Sequence, residues 1–278
     1  LPMALMRKFI PQIELSDSDG PGFARSILTT DKRTKEIAVS FDIDGSEITV
    51  AGVAKGSGMI HPNMATMLAF ITSDISIDEN VLKETLSSSV NRSFNQISVD
   101  GDQSTNDTVL IMTNGNANNK KITKIEDCDK FLEALDEVCI FLAKEIAKDG
   151  EGNTRLIEAT VQGAKTEDDA RKATKYIVSS NLVKTAVYGR DPNWGRIMMA
   201  VGASQIDLDE SKIEIFVNDI QIVADGIATP YNHQSVVIAM NQPIIRLTVN
   251  LNVGENTAKA WGSELTEEYV VFNSAYTT

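Results

Sequence analysis

Residue types that build many common functional sites are scarce in this chain of 278 residues. Its two cysteines, Cys128 and Cys139, lie eleven positions apart in one predicted helix, about 16 Å at ~1.5 Å per residue, so they cannot bridge each other. This excludes a disulfide framework and predicts reduced core thiols. The two histidines, His61 and His233, are too few for a convincing zinc site and lack HExxH spacing. We therefore predict no metal and no cofactor.

Positive charge and long apolar runs are scarce as well. The chain has 26 lysines and arginines against 39 aspartates and glutamates, a net charge of -13. A nucleic-acid surface needs clustered basic side chains, so this balance argues against one. Apolar runs stay well below the ~18 residues that span a bilayer, and the first residues lack a signal-peptide pattern. We expect a cytoplasmic protein that binds neither nucleic acid nor membrane.

The residues that are present indicate mixed α and β structure. Residues 36–53 contain two apolar-rich runs around Asp44-Gly45, which is a strong hairpin signal. Helical periodicity marks 78–94 and 127–148, and the second segment ends at a glycine. Short apolar runs predict further strands, buried ones at 67–71 and 108–112 and later ones at 156–161, 213–217, 236–240, 244–249 and 269–272.

One loop carries the sharpest chemical signal. Residues 55–66, Lys-Gly-Ser-Gly-Met-Ile-His-Pro-Asn-Met-Ala-Thr, place a threonine directly after a small residue. Cleavage of the Ala65–Thr66 bond would give Thr66 a free α-amine that can accept the proton of its own hydroxyl. The GxxxxGK[ST] order of a phosphate loop is absent, and a plain connecting loop is the alternative. Lys55 could hold a substrate carboxylate or stabilise an oxyanion.

Other acidic segments offer competing interpretations. Phe41-Asp-Ile-Asp44 resembles the first motif of haloacid-dehalogenase phosphatases, but a hairpin turn explains it more simply. Residues 100–107 alternate oxygen-bearing side chains as a calcium loop does, yet Thr105 stands where an EF-hand needs glycine. A polar loop close to an active site is the better account. Glu151, between two glycines after a long helix, could turn its carboxylate toward a cationic substrate.

Five separated segments together resemble the ornithine acetyltransferase family of arginine biosynthesis, also called glutamate N-acetyltransferase. The resemblance runs in order over the whole chain, which makes it far more specific than any single motif. The segments are residues 55–66, 95–107 (Asn-Gln-Ile-Ser-Val-Asp-Gly-Asp-Gln-Ser-Thr-Asn-Asp), 149–154 (Asp-Gly-Glu-Gly-Asn-Thr), 191–196 (Asp-Pro-Asn-Trp-Gly-Arg) and 273–278 (Asn-Ser-Ala-Tyr-Thr-Thr).

This resemblance implies an α/β fold and an autoprocessed enzyme. Cleavage between Ala65 and Thr66 would give an α-chain, 1–65, and a β-chain, 66–278, assembled as α2β2. Residues 1–158 would form a layered α/β/β/α sandwich that resembles N-terminal-nucleophile hydrolases. Residues 159–278 would form a smaller α/β domain whose tail returns to the active site.

The family's chemistry is implied in the same way. Thr66 would take the acetyl group from N2-acetylornithine, release ornithine, and pass the group to glutamate to give N-acetylglutamate, with ping-pong kinetics. Acetyl-CoA as a second donor stays open. Lys55 can pair with the substrate carboxylate and Glu151 with its amine. The implied substrate contacts are Thr29, Lys55, Thr66, Glu151, Asn273 and Thr278.

Two alternatives keep the same motifs. Water could replace glutamate as the acceptor, which would make the protein an N-terminal-threonine amidohydrolase or aminopeptidase. The chain could also be an inactive truncated member, because members of the family carry a further segment upstream of the Leu-Pro-Met at residues 1–3. That segment includes a Thr-Gly pair that forms their oxyanion hole, and loss of one such donor costs about 100- to 1000-fold in rate.

Overall fold

The computed structural model describes residues 2–14, 16, 18–62 and 67–275. Within these ranges no helix is long and apolar enough to cross a membrane. The strands are β1 (Lys35–Ile43), β2 (Ser46–Lys55), β3 (Leu68–Ser73), β4 (Ile97–Ser98), β5 (Thr108–Thr113), β6 (Leu156–Ala164), β7 (Glu214–Val217), β8 (Ile220–Ala224), β9 (Ile227–Ala228), β10 (Ile244–Asn250) and β11 (Asn256–Ser263). The α-helices are α1 (Met3–Phe9), α2 (Gly20–Ser26), α3 (Glu79–Arg92), α4 (Asp129–Lys148), α5 (Glu167–Ser179), α6 (Asn181–Gly189), α7 (Trp194–Ala203), α8 (His233–Ala239) and α9 (Glu267–Ala275).

The predicted hairpin is confirmed as β1 and β2, which pair antiparallel up to Ile43 and Ser46. Its turn residues have positive φ, 51° at Asp44 and 83° at Gly45, as a two-residue turn that follows the twist of the strands requires. The Asp42 carboxylate accepts a hydrogen bond from the Gly45 N–H at 3.1 Å. Asp42 and Asp44 therefore organise a turn, and the phosphatase interpretation of this motif is wrong.

The first sheet has the order β1-β2-β3-β5, with β3 and β5 parallel. One face packs against α4, whose fully buried Val138 and Leu142 lie in the same apolar core as Ile48 and Val50 of β2. Both cysteines of the chain are buried in this core as free thiols. Burial raises the pKa of the Cys139 thiol, so it stays protonated and packs as a small apolar group.

The segments 67–71 and 108–112 are strands. The first is buried at alternate residues, with Met67, Ala69 and Ile71 at 1%, 0% and 0% exposed, but the prediction that 108–112 is buried is wrong. Burial alternates along β3, and the side chains of β5 are exposed or half-buried. Leu110 and Met112, for example, are 42% and 51% exposed. An apolar run does not reveal whether both faces of its strand are covered, and here the core covers one face of the sheet.

The second sheet has the order β4-β11-β6-β10-β7-β8-β9 and is packed against α5. Two strands connect it with the first core: Leu156 of β6 and Trp261 of β11 belong to the first core, whereas the adjacent Ile157 and Ala260 belong to the second. Successive side chains of a strand point to opposite faces of the sheet, so the two cores lie on opposite faces of these strands. The domain boundary after residue 158 stays a prediction. The mixture of helices and sheets agrees with the predicted α/β class.

Two predicted strands are helices in the structure. Residues 236–240 fall in and just after α8, where the Asn232 side chain accepts a hydrogen bond from the Ser235 N–H as an N-cap. Residues 269–272 lie in α9, where the Thr266 hydroxyl accepts from the Tyr269 N–H in the same way. Short apolar runs do not distinguish a strand from a helix, and the capping residues decided in favour of helices here.

We predict that Leu142→Ala lowers the free energy of unfolding by about 2–5 kcal/mol, because it opens a cavity in a fully buried part of the first core. Urea unfolding followed by circular dichroism measures this loss. Phe141→Ala is the matched control, since Phe141 is the preceding residue of the same helix and is 38% exposed. Equal losses for the two variants would contradict this assignment of the core.

Candidate active site

Four of the six predicted substrate contacts meet where the ends of β2, α4 and α9 approach the loop after α2. Lys55 is the last residue of β2, and its ammonium donates a hydrogen bond to the Thr29 hydroxyl at 2.9 Å. Glu151 follows α4, and its Oε2 accepts a hydrogen bond from the Asn273 amide of α9 at 2.9 Å. The remaining contacts, Thr66 and Thr278, lie outside the described residues, as does Ala65 of the predicted cleavage bond.

The Glu151 carboxylate is buried and held from several sides. The hydroxyl of Thr30 donates to its Oε1 at 2.8 Å, and Ser57 Oγ lies 2.5 Å from the same hydroxyl. The Glu151 backbone N–H donates to the carbonyl of Ser57 at 2.9 Å. These contacts fix the orientation of the carboxylate in the site. Each of its oxygens can still accept another hydrogen bond.

Thr29 and Thr30 connect the two charged groups of the site. Thr29 contacts the Lys55 ammonium and its neighbour Thr30 contacts the Glu151 carboxylate, so two consecutive hydroxyls join a cation to an anion. Lys55 and Glu151 are far apart in the sequence, and this threonine pair brings both into one hydrogen-bonded arrangement. The site therefore offers groups of opposite charge to a ligand that carries both a carboxylate and an amine.

Gly58 lies directly against the Glu151 carboxylate. A Cβ atom added at residue 58 would stand 2.5 Å from Glu151 Oε1, closer than any real contact. A side chain at residue 58 would displace the Glu151 carboxylate from its hydrogen bonds with Thr30 and Asn273, and glycine avoids this. The close approach explains one glycine of the 55–66 segment.

Asp100 holds the next part of this loop. Its two carboxylate oxygens accept hydrogen bonds from the backbone N–H groups of Met59 at 2.6 Å and Ile60 at 2.9 Å. The Tyr269 hydroxyl of α9 also donates to Asp100, at 3.3 Å. Burial and the charge of Asp100 raise the pKa of Tyr269, so its hydroxyl stays protonated as a donor. The aspartate thus organises a loop beside the site, as predicted for segment 100–107.

The residues that flank the predicted cleavage bond are fixed on both sides. Lys175 of α5 donates hydrogen bonds to three backbone carbonyls, those of Pro62 at 3.0 Å, Asn95 at 2.8 Å and Ile97 at 2.6 Å. On the other side, the Met67 carbonyl accepts from the N–H of Thr108 at 2.9 Å. Pro62 and Met67, the nearest described residues on either side of the predicted bond, are therefore both hydrogen-bonded to folded structure.

Two ionisable groups near the Pro62 side are strongly perturbed. Burial lowers the pKa of Lys175 to about 7. Burial and the nearby charge of Lys175 lower the pKa of His61 to about 4, so the imidazole is neutral at pH 7. His61 Nδ1 lies 3.0 Å from Ser98 Oγ and 3.3 Å from Ser179 Oγ. It forms polar contacts with hydroxyls, which agrees with its interpretation as an ordinary polar residue.

Several site residues were not identified from the sequence. Thr30 and Ser57 lie close to the predicted contacts Thr29 and Lys55, and their hydroxyl groups were a weak indication of a binding role. The spacing of residues in the sequence did not reveal which groups these hydroxyls would contact. The side chains of Lys175 and Tyr269 approach from distant helices. Among the residues that the structure describes, no three His, Cys, Asp or Glu side chains are grouped so that they could hold a metal ion.

Known proteins match this chain throughout. The model of the ArgJ family matches residues 1–278. The arginine biosynthesis bifunctional protein ArgJ of Oceanobacillus iheyensis is 45% identical over 279 residues, and the protein of that name from Bacillus cereus is 46% identical over 283 residues. Each alignment covers 100% of this chain and 69% of the relative.

A solved structure agrees with these matches. The crystal structure of arginine biosynthesis bifunctional protein ArgJ from Bacillus halodurans has a TM-score of 0.74 and 42% sequence identity, covering 76% of this chain and 100% of that chain. The predicted α/β fold class is confirmed, as are the predicted resemblance and enzyme class, glutamate N-acetyltransferase. The chain belongs to the ArgJ family.

Proposed function

We propose that this protein moves an acetyl group from N2-acetylornithine to glutamate through an acetyl-Thr66 intermediate. Membership of the ArgJ family supports the reaction class. The observation that carries the substrate assignment is that two neighbouring threonines hold groups of opposite charge: the Lys55 ammonium lies 2.9 Å from the Thr29 hydroxyl and the Glu151 carboxylate 2.8 Å from the Thr30 hydroxyl. N2-acetylornithine has one carboxylate and one amine beside its acetamide group, which matches this pair.

Different residues bind the two charged ends of the donor. Lys55 pairs with the carboxylate of the donor, and Glu151 pairs with its amine. Asn273 and Thr30 hold the two oxygens of Glu151 in place, so little reorganisation is needed when the amine arrives. Gly58 lets the loop backbone lie directly against that carboxylate.

The transfer then runs in two halves. Thr66 Oγ attacks the acetyl carbonyl while the Thr66 α-amine takes the hydroxyl proton, and that proton passes to the leaving nitrogen as the C–N bond breaks. Ornithine leaves, the amine of glutamate attacks the acetyl ester, and Thr66 Oγ recovers its proton. An α-amine has an unperturbed pKa of about 7.7–8.0, so a useful fraction is neutral and can act as a base at pH 7.

We further propose that Thr66 gains its α-amine by self-cleavage after Ala65. The cut would fall between β2 and β3, which pair antiparallel from Val50 and Ser73 to Lys55 and Leu68. This ladder would keep the α-chain and the β-chain together. The α2β2 assembly, the use of acetyl-CoA and the cytoplasmic location stay predictions.

Thr66→Ala should abolish both cleavage and acetyl transfer, because it removes the only hydroxyl assigned as nucleophile. Mass spectrometry of the unsubstituted protein should find pieces of about 7 and 23 kDa, scaled by length, and one acetyl group on the larger piece after incubation with N2-acetylornithine. The variant should stay at 30.3 kDa. Thr72→Ala, at an exposed position of β3, is the control and should behave like the unsubstituted protein.

Two outcomes would contradict this assignment. Cleavage that persists in Thr66→Ala would place the reactive bond elsewhere. Free acetate released at the same rate with and without glutamate would make water the acceptor and the protein an amidohydrolase.

Glu151→Gln should lower kcat/KM for N2-acetylornithine about 10- to 100-fold, because a hydrogen bond to a charged group is worth about 1.5–3 kcal/mol. In ping-pong kinetics kcat/KM for each substrate reports its own half-reaction. The value for glutamate should change much less, since glutamate has no side-chain amine for residue 151 to bind. Glu145→Gln, at a half-buried position of α4 where the carboxylate pairs with Arg33 at 2.9 Å, is the control. An equal fall for both substrates would argue against an amine-binding role.

A further inference from the structure

A lysine with no water contact lies beneath the candidate active site. Lys35 Nζ is 2.7 Å from Asp31 Oδ1 and 2.7 Å from Asp149 Oδ2. The exposed fractions of the side chains are 0% for Lys35, 0% for Asp31 and 4% for Asp149. We call these three residues the Lys35 cluster. Neither the sequence motifs nor the proposed reaction assigns them a role.

The cluster also holds the backbone of two segments. Asp31 Oδ1 accepts a hydrogen bond from the Gly56 N–H at 2.6 Å, and its Oδ2 accepts from the Thr29 N–H at 3.2 Å. Asp149 Oδ2 accepts from the Lys32 N–H at 3.0 Å. Burial raises the pKa of Asp31, but the hydrogen bonds from Gly56 and Lys35 outweigh it and hold the pKa below its usual range. Asp31 is therefore charged at neutral pH.

Each of these attachment points is next to a predicted substrate contact. Asp31 directly follows Thr29 and Thr30, and Gly56 directly follows Lys55. Asp149 precedes Glu151 by two residues, and the Glu151 backbone is in turn bonded to Ser57. Any movement of one partner of Lys35 therefore moves the threonine pair, the ammonium of Lys55 or the carboxylate of Glu151.

We propose that Lys35 is a positioning residue that sets the separation between the Lys55 ammonium and the Glu151 carboxylate, and so selects acetyl donors by the length of chain between their carboxylate and amine. This inference rests on the proposed function, because it takes Lys55 and Glu151 as the groups that bind the two ends of the donor. Lys35 itself does not touch substrate.

A buried ion cluster suits this task better than apolar packing. Two carboxylates and one ammonium out of water are costly to separate, so their relative positions are held within a narrow range. Apolar side chains of similar volume stabilise the fold but do not fix the relative positions of the groups that they contact. A misplacement of about 1 Å in a reacting complex can cost 100-fold in rate, which makes a fixed separation between the two binding groups effective in discrimination.

The test compares three acetyl donors that differ by one methylene each: N2-acetylornithine, its shorter homologue N2-acetyl-2,4-diaminobutyrate and its longer homologue N2-acetyllysine. The measured quantity is the ratio of kcat/KM between donors, with glutamate as acceptor. The unsubstituted protein should prefer N2-acetylornithine. Lys35→Met and, separately, Asp149→Asn should reduce this preference about 10-fold, the order of discrimination that one methylene provides.

The donor ratio distinguishes positioning from mere support of the fold. Lys144→Met is the control, because it likewise removes the cation of an ion pair, one that is half-buried and lies 2.9 Å from Glu158, but Lys144 has no contact with the threonine pair. It should lower the Tm and leave the donor ratio unchanged. Asp149→Asn keeps the shape of the side chain and provides the answer if Lys35→Met does not fold.

Each outcome has a separate meaning. A lower Tm with an unchanged donor ratio in Lys35→Met and Asp149→Asn would refute the inference while leaving the proposed function intact. Absence of acetyl transfer from any donor by the unsubstituted protein would refute the proposed function itself, and the inference would fall with it. A flattened donor ratio in both variants, but not in Lys144→Met, would support the inference.

Discussion

The Lys35 ammonium lies out of water between two carboxylates, and the arrangement of the candidate active site depends on it. A buried charge is tolerated when it is paired and hydrogen-bonded, and Lys35 meets this condition by drawing Asp31 and Asp149 to 2.7 Å. The two aspartates come from different segments, the loop after α2 and the segment after α4. Pairing both with one cation brings the loop after α2, the end of β2 and the segment after α4 into contact, and the threonine pair can then bridge Lys55 and Glu151.

A second constraint acts on the loop that follows β2. Lys175 of α5 binds the Pro62 carbonyl, and Asp100 binds the N–H groups of Met59 and Ile60. The segment that leads to the predicted cleavage bond is therefore held by side chains, while β2 and β3 on either side of it form one sheet. A chain cut between these strands would keep its backbone ladder, so cleavage and an intact fold are compatible.

The comparison between prediction and structure separates strong patterns from weak ones. The hairpin at Asp44-Gly45 and the helix α4 were predicted correctly, because a two-residue turn needs positive φ and a long amphipathic helix repeats its apolar positions many times. The runs at 236–240 and 269–272 were too short to distinguish strand from helix, and capping by Asn232 and Thr266 decided the result. Burial of 108–112 was overestimated because coverage of a sheet face is a tertiary property.

The sequence by itself determined the family, the segment of residues 55–66 and the identity of the charged groups, since these depend on residue type and order. It did not determine that Thr30 would bind Glu151 across 121 positions, or that Lys35 would bind Asp149 across 114. Such partners are chosen by packing, because the periodicity of a helix or strand relates only residues a few positions apart. Only the tertiary structure decided that the Lys55 ammonium and the Glu151 carboxylate would bind to two neighbouring threonines.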